Sequence, residues 1–198
     1  IAVGSKVNFN PWLFQIKEKT PSEHLPVGVI LTIAAAGSEM SNSCVITNDE
    51  TKEKRGFTSE CNRPLFAIMN PKLTYSVSPY QTACGITDIM MHTLERYFSL
   101  GEDTPITDNI ALGLLKAVHD EGLKAIKNPC DYEARANLMW ASSLSHNGLT
   151  GSGRSYVMSV HQLEHELSGM YDNIAHGAGL AVLWPAWAIN SYKASPNR

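Results

Sequence analysis

Three of the chain's seven histidines fall between Ser159 and Gly177, in the stretch SVHQLEHELSGMYDNIAHG. His161 and His165 stand four residues apart, so on a helix both rings share one face. Two imidazoles on one helical stripe are a metal-binding pattern. The zinc hydrolase form of that pattern places Glu directly after the first His, whereas here Gln162, Leu163 and Glu164 separate the pair. A second pair, Asp88 and His92, has the same spacing in GITDIMMHTLERYF. Asp88 lies among Ile86, Ile89, Met90 and Met91. A carboxylate buried in such company needs a partner, because an unpaired buried charge is costly. Taken singly, each pair also fits a hydrogen-bonded Asp–His couple or a set of surface histidines. Taken together, they put one carboxylate and several imidazoles on two helices that could face each other. A His/carboxylate donor set without thiolate suits Fe(II) or Zn(II). The spacing does not decide which of His161, His165 and His176 complete the set.

The elements that must carry these groups can be outlined from composition and periodicity. The 198 residues suffice for one large domain or two small ones, and 43% hydrophobic with 18% charged residues is ordinary globular composition. A net charge of -3 gives no electrostatic case for nucleic acid or an anionic membrane surface. No apolar run reaches the roughly 18 residues of a membrane span. Cys44, Cys61, Cys84 and Cys130 are scattered, which predicts free thiols in a reducing compartment. Residues 25–36, LPVGVILTIAAA, predict a buried strand. CVITNDETKEKRGFTSE predicts a hairpin with a polar turn, and LFAIMNP is a further short apolar run.

The character changes near residue 78, dividing a β-containing part, 1–78, from a helical part, 79–198. Pro79 is a plausible first-turn residue for a helix through PYQTACGITDIMMHTLERYFSL. Further helices are expected in TDNIALGLLKAVHDEGLKAIKN, DYEARANLMWASSLSHNG and YVMSVHQLEHELSGMY. LTGSGRS is expected to be a flexible loop, and Pro185 to break the last apolar stretch, GAGLAVLWPAWAINSY. His24, His119 and His146 are expected in polar loops or on helix surfaces. Met90, Met91, Trp184 and Trp187 read as core packing.

Three segments in order carry a family resemblance: LTIAAAGSEMSNSCVITN, NPKLTYSVSPYQTACGITDIMMHTLERYF and HQLEHELSGMYDNIAHGAGLAVLWPAW. They closely resemble the iron-containing (group III) alcohol dehydrogenases, with the butanol dehydrogenase and aldehyde reductase branch nearest. The resemblance implies an α/β plus all-α fold of dehydroquinate synthase-like architecture. In it a nucleotide-binding α/β domain precedes a helical metal-binding domain, and the present chain would be a fragment. It implies reversible hydride transfer between a primary alcohol or aldehyde and NAD or NADP, with a divalent metal, Fe2+ or Zn2+, at the cleft. Carried over by motif, the metal ligands are Asp88, His92, His161 and His176. His165 is then left as the catalytic candidate for proton transfer. Thr32 and Lys54 are the candidate cofactor contacts, while Ala36 stands where relatives often carry Thr. From His161 to His176 is one position more than the common family spacing. The turn before HGAGLAV is expected to absorb it. The resemblance further implies a cytoplasmic homodimer of the full-length protein. A metal-dependent hydrolase, a structural metal site or an inactive fragment are the competing readings.

Overall fold

Ser78 and Pro79 begin the helical part in the way their chemistry suggests. The Ser78 hydroxyl accepts the Gln81 amide at 3.2 Å, and Pro79 fills the first turn of α2 (Pro79–Tyr97). There its missing N–H leaves nothing unsatisfied. α3 (Pro105–Lys127) also starts on a proline. Asp131 caps α4 (Tyr132–His146) by accepting the Ala134 amide at 3.0 Å. α5 (Ser159–Met170) and α6 (His176–Ala194) complete the set. The computed structural model describes residues 1–99 and 103–195.

α2 is the shared wall of two cores. On one side Ile89 packs with Val118 and Ala125 of α3 and with Ala134, Leu138 and Ala141 of α4. On the other, Met91 packs with Val160 of α5 and Leu180 of α6, supported by Trp184 and Trp187. Met91 and the two tryptophans are core packing, as their spacing suggests. The face of α2 between these cores carries Asp88 and His92. No helix among the described residues is long and apolar enough to cross a membrane.

The first 78 residues contain the short helix α1 (Trp12–Gln15) and four strands. β1 (Gly28–Ile30) pairs in parallel with β4 (Phe66–Ile68), Gly28 opposite Phe66. β2 (Ser43–Thr47) and β3 (Lys54–Thr58) form the expected antiparallel hairpin, Cys44 opposite Phe57. All four cysteines are free thiols.

Three expectations need correction. The apolar run at 25–36 yields only a three-residue strand, and Ile30 at its end is 61% exposed. A two-stranded pair cannot cover both of its own faces, so apolar β-branched sequence does not guarantee burial here. LTGSGRS is not loose: Thr150 and Gly151 are buried, and the Arg154 guanidinium donates to the Arg96 and Tyr97 carbonyls at 3.2 Å. α6 runs through Pro185 without ending. Leu180, Leu183, Trp184 and Trp187 pack on both sides of the proline, and this packing outlasts one missing hydrogen bond.

Candidate metal centre

Helix geometry puts Asp88 and His92 on one face of α2, with His92 Nδ1 3.5 Å from Asp88 Oδ1. The first turn of α5 brings His161 Nε2 to 3.4 Å from the same oxygen. His176 opens α6, and its Nε2 lies 3.6 Å from that oxygen. One carboxylate oxygen therefore faces three imidazole nitrogens from three helices. Asp88, His92 and His161 are at most 5% exposed, and their donor atoms all lie within 4.8 Å of one another.

The residues fit a cation by their own chemistry. His92 Nδ1 is buried and has no hydrogen-bond partner among the described residues. A buried nitrogen left so costs stability unless something completes it. A divalent ion among three imidazoles and a carboxylate would do so.

The glycines of HGAG explain why α6 comes this close. A Cβ on Gly177 would lie 2.1 Å from the Cys84 carbonyl oxygen, so the start of α6 rests directly on the α2 backbone. A Cβ on Gly179 would lie 2.8 Å from Cγ of Glu164, so this glycine makes room for the α5 carboxylate. Residues 171–175 form the turn between α5 and α6, and His176 follows it directly.

The electrostatics separate the imidazoles. Burial pushes His92 well below its usual range, and the nearby His146, His161 and Arg96 add to that. Burial alone would lower His161 too, but hydrogen bonds to Asp88 and Glu95 outweigh it and hold the ring up at about 9. His165 is lowered to about 4, by burial first and then by His176 and Lys54. Its ring sits 5.4 Å from that of His176 and 6.4 Å from that of His161, beside the cluster.

The candidate cofactor contacts sit on different segments. Thr32 is exposed, two residues beyond the end of β1. It is not on the strand, as its sequence setting suggested. Lys54 of β3 reaches across to α5: its ammonium donates to Ser168 Oγ at 2.7 Å and lies 3.8 Å from Glu164 Oε2. His146 corrects another expectation. It is not on a helix surface; its ring centroid lies 4.0 Å from that of His92, the two planes tilted by 40°, and Arg96 Nη2 lies 3.0 Å from its Nδ1. Burial lowers its pKa to about 3, with Arg96 adding to the effect. Sequence reading also passed over Glu95 and Glu164. Glu95 contacts His161 Nδ1, and Glu164 contacts His176 Nδ1. The signal was present for Glu95, which follows Asp88 by seven positions and His92 by three on the same helical face.

Comparison with known proteins gives the family. A family model described as Fe-containing alcohol dehydrogenase family, C-terminal, matches residues 82–198, and one described as iron-containing alcohol dehydrogenase matches residues 1–71. The chain belongs to the iron-containing alcohol dehydrogenase family. Within it, the chain falls in the butanol dehydrogenase branch. NADH-dependent butanol dehydrogenase A of Clostridium acetobutylicum is 45% identical over 94% of this chain and 48% of its own length. NADPH-dependent aldehyde reductase YqhD of Escherichia coli is 38% identical over 90% of this chain and 46% of its own. The crystal structure of NADH-dependent butanol dehydrogenase A from Thermotoga maritima superposes with a TM-score of 0.95 at 38% identity. It covers 98% of this chain and 49% of that one. The chain spans about half the length of the curated relatives it matches, and the mixed strand-and-helix fold is that of this family.

Proposed function

We propose that the full-length protein is a metal-dependent NAD(P) oxidoreductase interconverting a primary alcohol and its aldehyde. Asp88, His92, His161 and His176 would hold the metal, Fe2+ or Zn2+. The observation that carries this reading is the single Asp88 oxygen facing three imidazole nitrogens, with Asp88, His92 and His161 buried. When bound, the metal supplies a Lewis acid for the substrate oxygen and the dinucleotide a hydride acceptor. The chain's own residues do the rest. Asp88 offsets the charge of the ion, and the three imidazoles must each present a neutral nitrogen to it. His165 is uncharged at neutral pH and stands one turn from His161, so a ring nitrogen can accept the proton that leaves the alcohol. Thr32 lies just beyond the carboxyl end of β1, where ligands of open α/β sheets bind. It is proposed as a dinucleotide contact, with Lys54 reaching the site from the hairpin. In this reading residues 1–78 belong to the nucleotide-binding domain and 79–198 to the helical metal domain. The relatives' names support NAD or NADP, and the working form is proposed to be a cytoplasmic homodimer.

The test is alcohol-dependent formation of NAD(P)H by the metal-loaded full-length protein, read by its absorbance. A hydrolase or a purely structural site would produce none. His165→Ala should keep the metal at wild-type stoichiometry and lower kcat by about 10²–10⁴-fold, the usual contribution of a general acid–base group. Loss of metal in that variant would exchange the roles of His165 and His176.

A further inference from the structure

Two buried glutamates outside the ligand set each touch the far nitrogen of a ligand histidine. Glu95 of α2 is 2% exposed and sits at the N-terminus of α5. There the backbone N–H groups of Val160 and His161 donate to its carboxylate, at 2.7 and 3.1 Å. α5 has no side-chain cap of its own, and this carboxylate serves in its place. The same carboxylate receives His161 Nδ1. Glu164 of α5 is fully buried, and its Oε2 receives His176 Nδ1. Lys54 stands 3.8 Å from that oxygen and compensates its charge. Gly179 leaves the space the Glu164 side chain fills. In both pairs the contact at Nδ1 leaves Nε2 aimed at Asp88 Oδ1, at 3.4 Å for His161 and 3.6 Å for His176.

We infer that Glu95 and Glu164 are positioning residues that hold His161 and His176 in the Nδ1–H tautomer, each presenting Nε2 to the metal. Glu95 does so while capping α5, so the orientation of His161 is tied to the start of the helix that carries it. Glu164 locks His176 across the turn between α5 and α6. Lys54, through Glu164, links the β2–β3 hairpin to this ligand. A carboxylate behind a ligating imidazole fixes ring orientation and raises ligand basicity. His92 has no such carboxylate at its second nitrogen among the described contacts; its ring lies between those of His161, on which it stacks, and His146, to which it is tilted. The inference rests on the ligand set proposed above.

The test is zinc affinity, measured by chelator competition on the full-length protein, for wild type, His161→Ala, E95Q and E164L. Wild type should take up zinc at this site and His161→Ala should not. E164L removes the acceptor and should weaken binding by about 10- to 100-fold, and E95Q, which loses the charge and turns one of the two acceptor oxygens into a donor, by about tenfold. Should E95Q fail to fold, E164L carries the test, since it removes no helix cap. Nitrogen NMR of the zinc-loaded wild type should show His161 and His176 protonated at Nδ1. Affinities of E95Q and E164L within twofold of wild type, with His161→Ala unable to bind, would overturn the inference and leave the ligand set standing. So would a metal bond at Nδ1 in either ring. Zinc retained by His161→Ala would overturn the ligand set and the inference with it.

Discussion

Asp88→Ala is expected to leave the full-length protein without bound metal. Asp88 is 4% exposed, and its Oδ1 lies within 3.6 Å of His92, His161 and His176 alike. Removing it takes away one ligand and the only negative charge of the proposed set. Structural zinc sites bind with about 10–16 kcal/mol, so an equal share for one of four ligands is roughly 3 kcal/mol. That corresponds to about a hundredfold in affinity. The loss of charge compensation adds to it, because three neutral imidazoles alone must then hold a dication. Elemental analysis after dialysis against a weak chelator gives the answer: stoichiometric metal in the wild type and less than about a tenth of that in Asp88→Ala. Circular dichroism separates this from unfolding, since the two apolar cores around α2 do not involve Asp88. Full occupancy in the variant would mean that the metal sits elsewhere, the cluster of Glu164, His165 and His176 being the alternative donor group.

Much of the helical part could be read from the chain, for local reasons. Pro79 with Ser78, and Asp131 before Tyr132, are helix-start signals whose effect does not depend on tertiary context. The i, i+4 spacing of Asp88 and His92 fixes their shared face as soon as α2 is a helix. Three things were not local. His146 looked like a surface residue because its neighbours Ser145 and Asn147 are polar, yet Arg96 of α2 and the His92 ring enclose it. Glu164 looked like a charge between two candidate ligands, and only the closeness of α6 shows it facing His176. Pro185 looked like a stop because its cost is intrinsic to the residue, while the packing of Trp184 and Trp187 that offsets it is tertiary. Period alone could not choose between His165 and His176. Both follow His161, and the turn after Met170 decides which ring reaches Asp88.

That turn leads to Gly177, where the smallest possible change should have a large effect. In Gly177→Ala the new methyl would meet the Cys84 carbonyl oxygen at 2.1 Å, the carbonyl carbon at 2.6 Å and Cα at 2.7 Å. All three atoms are α2 backbone, so no side chain can swing aside. Ordinary contact begins near 3.4 Å, so α6 must move away from α2 by more than about 1 Å. His176 precedes this residue and moves with it, away from an Asp88 oxygen that is already 3.6 Å off. Overpacking of this kind costs about 1–3 kcal/mol of stability. Metal retention should fall as well, because the displaced residue is a proposed ligand. Gly113 of α3 is the matched control: a Cβ there meets nothing within 4 Å. Gly113→Ala should be neutral or stabilise by about 0.4–1 kcal/mol through helix propensity. Thermal unfolding and metal content of the two variants, side by side in the full-length protein, form the measurement. A Gly177→Ala protein with wild-type Tm and full metal would show that α6 does not rest on α2 as described. A fall in Tm with metal retained would show that His176 is not needed to hold it.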